Sequence, residues 1–211
     1  MKKFLNVILV LGALLVPAAG GLAQDANANA DEAFLLVATS ALNQSNYRRT
    51  VILSLPIGGD RHLGIILNRP SQRTLGELFP EHAPSKKVAE PVFFGGPMSQ
   101  RAVFALTRGA ESPGLGSLRI MNGLFLAMTA TTVDRIIEEM PQQARFYVGD
   151  VLWRPGELRE ELGDSYWHVL NVDPDLLFRK DTQGLWDELS RLARAVRADA
   201  GRPVTLARSA D

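Results

Sequence analysis

The chain has 211 residues, 23 lysines and arginines balanced by 23 aspartates and glutamates, 46% hydrophobic residues, 18 glycines, 12 prolines and no cysteine. That length suits one domain of ordinary size or two small ones, and the glycine and proline usage excludes collagen-like and low-complexity classes. A formal charge of zero leaves no global field to drive nonspecific nucleic-acid binding, and the lack of cysteine removes disulfides, thiolate nucleophiles, cysteine-ligated zinc, iron–sulfur clusters and a lipidated leader cysteine.

Residues 1–23 read as a cleaved signal peptide. Lys2 and Lys3 form a positive start, Phe4 to Val16 is apolar apart from Asn6 and Gly12, and Pro17 to Ala23 is dominated by small residues. Gly21 and Ala23 stand at the −3 and −1 positions before Gln24, where signal peptidase accepts small side chains. The apolar run of 13 residues is shorter than the roughly 20 that span a bilayer. An uncleaved anchor over Phe4 to Ala23 is the alternative, and Pro17 opposes it. Residues 24–32 contain no apolar side chain larger than alanine, so they read as a flexible linker. The expected location is periplasmic or secreted.

From Ala33 onward the periodicity favours strands. Phe34 to Ala38 and Thr50 to Leu55 are β-branched and apolar runs; Pro56 to Arg61 is a turn cluster, and Leu63 to Leu67 follows as a third strand. Such short connections predict antiparallel hairpins. Asn68-Arg69-Pro70 ends the third strand, and Thr74 with Glu77 fits a capping box on a short helix stopped by Phe79-Pro80. Strands follow at Val92 to Phe94, Ala102 to Leu106, Leu118 to Met121 and Leu124 to Thr129, with a glycine-rich loop from Thr107 to Ser117. Thr131 or Thr132 can cap a helix running to Met140, with Val133, Ile136, Ile137 and Met140 on one face. Arg145 to Val148 is a strand. Pro155 suits the first position of a helix to Leu162, with Gly163 as its C-terminal cap. Tyr166 to Val172 is the last strand, Leu185 to Val196 is amphipathic and helical, and residues 199–211 read as a frayed polar tail. Segregated strands and helices over residues 33–198 make the class α+β.

Four segments, taken in order, resemble the YqgE/AlgH family: Phe34 to Thr39 with Arg49-Thr50-Val51, Gly64 to Pro70, Val92 to Pro97, and Gly149 to Trp153 with Pro155 to Leu158 and Glu161. The resemblance spans roughly Ala33 to Ser190. It implies a branched, mixed, mainly antiparallel sheet partly curled into a small barrel and surrounded by helices. It implies no established catalytic activity and no cofactor, and one branch of the family carries a proposed part in regulating alginate synthesis without a recognisable DNA-binding motif. The sequence departs from the family pattern at Asp150, Val151 and Leu152, at Gly156 to Arg159 and at Asn43 to Tyr47. Its leader is a further departure, since members are typically cytosolic.

On the family fold, Arg48, Arg49 and Arg69 flank strand ends. Together with the backbone amides of Gly95 and Gly96 they would make an anion-binding notch; alternatively the arginines pair internally while the glycines serve tight turns. Asn68 is expected to satisfy a turn. Trp153, with Pro155, Gly156 and Glu157, offers either a stacking platform or a core plug. Glu157 and Glu161 lie four apart, a carboxylate pair or a solvated face. Arg191, Arg194 and Arg197, with Arg202 and Arg208 beyond, form either a basic strip or an ordinary helix surface.

His62, His82 and His168 show no metal-ligand spacing, and no nucleophile elbow or phosphate loop is present, so no metal is expected. These features describe a non-catalytic domain that binds a protein partner or a small anionic ligand. Two alternatives remain: a transcriptional regulator by family analogy, and an enzyme whose site assembles from Arg49, Asn68, Glu157 and His62. The intact mass of the exported protein is expected to begin at Gln24; a species starting at Met1 and sedimenting with membranes would overturn cleavage.

Overall fold

The computed structural model describes residues 33–200. The predicted signal peptide, the linker and the tail beyond residue 200 lie outside the described residues. Ten strands form one branched sheet: β1 (Phe34–Ala38), β2 (Val51–Pro56), β3 (His62–Ile66), β4 (Pro70–Thr74), β5 (Pro91–Phe94), β6 (Met98–Arg108), β7 (Ser117–Met121), β8 (Leu124–Ala127), β9 (Ala144–Trp153) and β10 (Trp167–Asn171). Five helices accompany them: α1 (Leu75–Leu78), α2 (Ala130–Glu139), α3 (Glu157–Gly163), α4 (Pro174–Leu177) and α5 (Leu185–Ala200).

The main path runs β10-β1-β2-β3-β9-β6-β8-β7, with β5 also on β9 and β4 on β5. All pairings are antiparallel except β5 with β9. The sheet curls into a half-barrel, as the α+β reading expects. Strand β9 joins the two halves, pairing β3 through Val151 to Trp153 and pairing β5 and β6 through Tyr147 and Val148.

Both faces of the sheet are covered, which is why β1, β2 and β3 are apolar runs rather than alternating ones. The inner face gathers Leu35, Leu53 and Ile65 from one half with Phe93, Leu106 and Tyr147 from the other, closed by Leu177 of α4 and Leu185 and Leu189 of α5. On the outer face, α3 covers Leu36, Ile52 and Trp153 through Leu158, while α2 covers Ala105 and Phe146 through Val133, Ile136 and Ile137.

Several boundaries differ from the sequence reading. Strand β4 is missed because its residues are mostly polar, and β6 begins four residues early, at Met98, through an exposed stretch with a shifted register. The cap of α2 is Thr129, whose hydroxyl bonds Leu115 O and Thr132 Oγ instead of a backbone N–H of the helix. Helix α3 starts after Gly156, not at Pro155, because the Glu157 N–H first closes a turn onto Arg154 O. Gly163 is its last helical residue, and Ser165 takes the positive φ of 60° expected of a glycine cap. Helix α5 continues to Ala200, into the predicted tail. The capping box at Thr74 and Glu77 is present as expected.

A β-carbon on Gly95 would lie 2.2 Å from Gly149 O. Gly95→Ala is therefore expected to cost about 3 kcal/mol or more in urea unfolding. Gly163→Ala, with nothing within 4 Å of the added atom, is expected to gain up to about 1 kcal/mol. Equal effects would refute the close approach.

Candidate functional site

The predicted notch is assembled, but its donors are already engaged. Asn68 Oδ1 accepts the Val51 N–H at 2.9 Å and its Nδ2 donates to Arg49 O at 2.9 Å, so the amide stands in for a strand partner between β2 and β3. Arg69 donates to Asn46 O and Arg48 O, tying down the turn before β2. Burial pushes its guanidinium down, against the pull of the Tyr47 phenol. Arg49, at a positive φ of 55°, pairs with Asp187 of α5 and lies 4.4 Å from the Trp186 ring centroid. The Gly95 N–H donates to Val148 O at 2.8 Å, and Gly96 packs against the backbone of Asp150. These contacts match the internal-pairing alternative for Asn68, Arg69 and Gly95, which bond within the chain, and for Arg49, which pairs with α5.

Trp153 is a core plug, 3% exposed. Its indole N–H donates to Glu161 Oε2 at 2.9 Å, and the Trp167 N–H donates to the same oxygen at 2.7 Å. The proposed carboxylate pair is therefore divided. Glu161 serves the two indoles, while Glu157 holds the Arg154 backbone N–H and guanidinium, which keeps its carboxyl below the usual range. Burial, and then Glu161, push the Tyr47 phenol up.

Nor do the four residues of the enzyme alternative converge. Four steps of β3, about 13 Å of strand, separate His62 from Ile66, and Asn68 lies beyond. Arg49 shares the Asn68 end, whereas α3, which carries Glu157, is tied by Arg159 to Asp60 in the turn before His62. The histidines sit on separate elements: His62 on β3, His82 bonded to Ser85 before a 3-10 turn, and His168 opposite Val37 on β10. Arg191 and Arg194 are exposed on α5; the Arg197 side chain and all of Arg202 and Arg208 lie outside the described residues.

Sequence reasoning missed a different cluster. A cavity of about 370 Å³ opens where β6 ends, β9 begins and α4 closes the inner core, lined by Glu90, Arg108, Gln142, Arg145, Phe178 and Lys180 among others. Arg145 is 4% exposed. It donates to Leu177 O at 3.3 Å and Phe178 O at 3.1 Å, and lies 4.7 Å from the Phe93 ring centroid. Its Nε has no hydrogen-bond partner among the described residues. Arg108 lies 4.6 Å from the Phe178 ring centroid, bonds Pro174 O at 3.2 Å and pairs with Asp175 at 3.4 Å. Glu90 stands 3.9 Å from both Arg145 and Lys180. Behind Arg145, burial pushes the Tyr147 phenol well above its ordinary range while the guanidinium pulls it down, so the hydroxyl is neutral. The available signal was a cation, Arg145, directly before the apolar run Phe146 to Val148.

The AlgH-like family, DUF179, matches residues 35–196. The chain belongs to this family. Among curated relatives, a protein of Thermobifida fusca named UPF0301 protein is 33% identical over 166 residues, covering 74% of this chain and 84% of the relative. UPF0301 protein SPO0296 of Ruegeria pomeroyi is 29% identical over 163 residues, covering 75% and 89%. The solution structure of AlgH from Pseudomonas aeruginosa aligns with a TM-score of 0.63 at 21% identity, over 82% of this chain and 95% of that one. The crystal structure of DIP2367 from Corynebacterium diphtheriae aligns at 0.61 and 21%, over 82% and 87%. At that identity the two structures establish the AlgH-like fold alone.

Glu161→Leu strands two buried indole N–H groups and is expected to cost about 2–4 kcal/mol in urea unfolding, with altered tryptophan fluorescence. Arg69→Ala is expected to lower the melting temperature; an unchanged value would return Arg69 to the pool of binding residues.

Proposed function

We propose that this AlgH-like chain is an exported, non-catalytic binding domain that takes a small anionic ligand in the cavity between β6, β9 and α4. The observation carrying the reading is the convergence of Arg108, Arg145 and Lys180 on one cavity wall. Glu90 reaches Arg145 and Lys180 only at 3.9 Å, beyond hydrogen-bond range. Guanidinium forks match carboxylate and phosphate oxygens, and Arg145 is already desolvated and fixed by two carbonyls, so less ordering remains for a ligand to impose. Phe178 supplies an aromatic wall beneath Arg108. Export to the periplasm rests on the leader pattern of residues 1–23.

Capture of a protein partner is a second reading. It is supported by a larger apolar groove of about 590 Å³ between α2 and β6, where Phe79, Val103, Met128, Val133 and Ile137 are among the lining residues.

Calorimetric titration of the mature chain with inorganic phosphate is expected to give saturable binding with a Kd on the order of 1 mM or tighter. Arg108→Ala and Lys180→Ala alter half-exposed and exposed side chains. Each is expected to weaken phosphate binding about tenfold, Lys180→Ala without changing the melting temperature and Arg108→Ala with a small decrease from the lost contacts to Pro174 O and Phe178. Absence of saturable heat, or binding indifferent to both substitutions, would end the reading.

A further inference from the structure

We infer that Glu90 is a built-in competing anion, and that the cavity therefore selects a doubly charged, phosphate-type oxyanion over a monocarboxylate. The inference rests on the anion-binding reading above and adds the identity and control of the ligand.

Glu90 precedes β5, with its side chain 46% exposed, and stands 3.9 Å from both Arg145 Nη2 and Lys180 Nζ. Neither distance is a hydrogen bond, so the carboxylate is held by charge alone. The Lys180 side chain is 89% exposed, and water screens that pair. Arg145 differs. It is 4% exposed, its fixed donors point at Leu177 O and Phe178 O, and Glu90 is the carboxylate paired with it. Glu90 thus occupies the position of a weakly held ligand in front of a fixed guanidinium.

Exchange chemistry follows from that placement. A monocarboxylate entering beside Arg145 and Lys180 replaces one single negative charge with another and gains little. A dianion replaces one charge with two, and its several oxygens offer acceptors to the cations that line the cavity, Arg108 among them. Displaced Glu90 is half-exposed already and returns to water at small cost. Asp175, the other carboxylate near the wall, pairs with Arg108 at 3.4 Å and is 91% exposed, so it offers weaker competition.

The test uses the mature full-length chain at about pH 8, where a phosphate group carries two charges, with inorganic phosphate and acetate as calorimetric probes. The wild type is expected to bind phosphate and to bind acetate at least tenfold more weakly. Glu90→Gln, which keeps the shape of the side chain, is expected to tighten phosphate about three- to tenfold and acetate by more, narrowing the preference. Glu90→Ala is expected to do the same, separating charge from any new amide contact. Unchanged or weaker phosphate binding in both Glu90 variants, with wild-type binding intact, overturns the competitor role alone. Equal wild-type affinity for acetate and phosphate overturns the selection for a dianion. Loss of all saturable binding, in wild type and variants alike, overturns the underlying reading as well.

Discussion

Backbone meets backbone where the segment Gly95-Gly96 crosses β9 at Gly149, and the architecture depends on that contact. A β-carbon on Gly95 would lie 2.2 Å from Gly149 O, and one on Gly149 would lie 2.2 Å from Gly96 O, so side chains are excluded on both sides. Gly149 also adopts a φ of 76°, which L-residues with a β-carbon resist. The bend lets β9 change partners within three residues: Val148 faces β5 and β6, while Val151 faces β3. Without it the two halves of the sheet could not share an inner face, and Leu53 and Leu106 would not belong to one core. The same crossing holds the neighbouring turn, because Gly95 O accepts the Ile66 N–H and Arg69 O accepts the Phe94 N–H, both at 2.8 Å.

Arg145 and Glu161 each join elements of this frame, and neither depends on a close opposite charge. The Arg145 guanidinium is answered by carbonyls at the end of α4 and by the face of Phe93, with Glu90 more distant. The Glu161 carboxylate is answered by two indole N–H groups. Desolvating an ion pair often costs as much as its attraction returns. Directing neutral dipoles at the charge instead fixes geometry, and each case uses that geometry to join elements. Arg145 attaches α4 to β9, and Glu161 clamps α3 against the ends of β9 and β10. Because α4 helps close the inner core through Leu177, the Arg145 bonds position the cavity wall and complete the core together.

The strands of the first half were legible because both their faces are buried: Phe34 to Ala38 and Val51 to Leu55 leave few conformations other than central strands. The capping box and the amphipathic α2 and α5 were legible for local reasons, a hydrogen-bond pattern and a 3.6-residue period. Strand β4 was not, since it pairs β5 at Pro70 and Thr74 with the polar Ser71, Gln72 and Arg73 in an irregular stretch between them, a pattern that composition does not report. The site was legible only in its bland form. Arg49, Asn68, Arg69, Gly95 and Gly96 were read as either an anion notch or internally engaged residues, and their contacts lie within the chain. Arg108, Arg145 and Lys180 escaped notice because they lie 35 or more positions apart from one to the next and meet only through the pairing of β6 with β9 and the return of α4.

What separates the two arginine-rich ends of the sheet is the supply of acceptors. At the Asn68 end the chain itself provides Asn46 O, Arg48 O and the Asp187 carboxylate, and the arginines there meet them directly. At the Arg145 end the carbonyls of Leu177 and Phe178 accept one bond each, Glu90 stays at 3.9 Å, and Arg145 Nε has no acceptor among the described residues. A guanidinium carries five N–H donors, and the carbonyls of Leu177 and Phe178 take two of those of Arg145. Family membership fixes the sheet on which both ends stand, and the two ends differ in how far their donors are satisfied within the chain. That imbalance, rather than the number of arginines or glycines at a turn, is what supports the proposed anion site in the cavity between β6, β9 and α4.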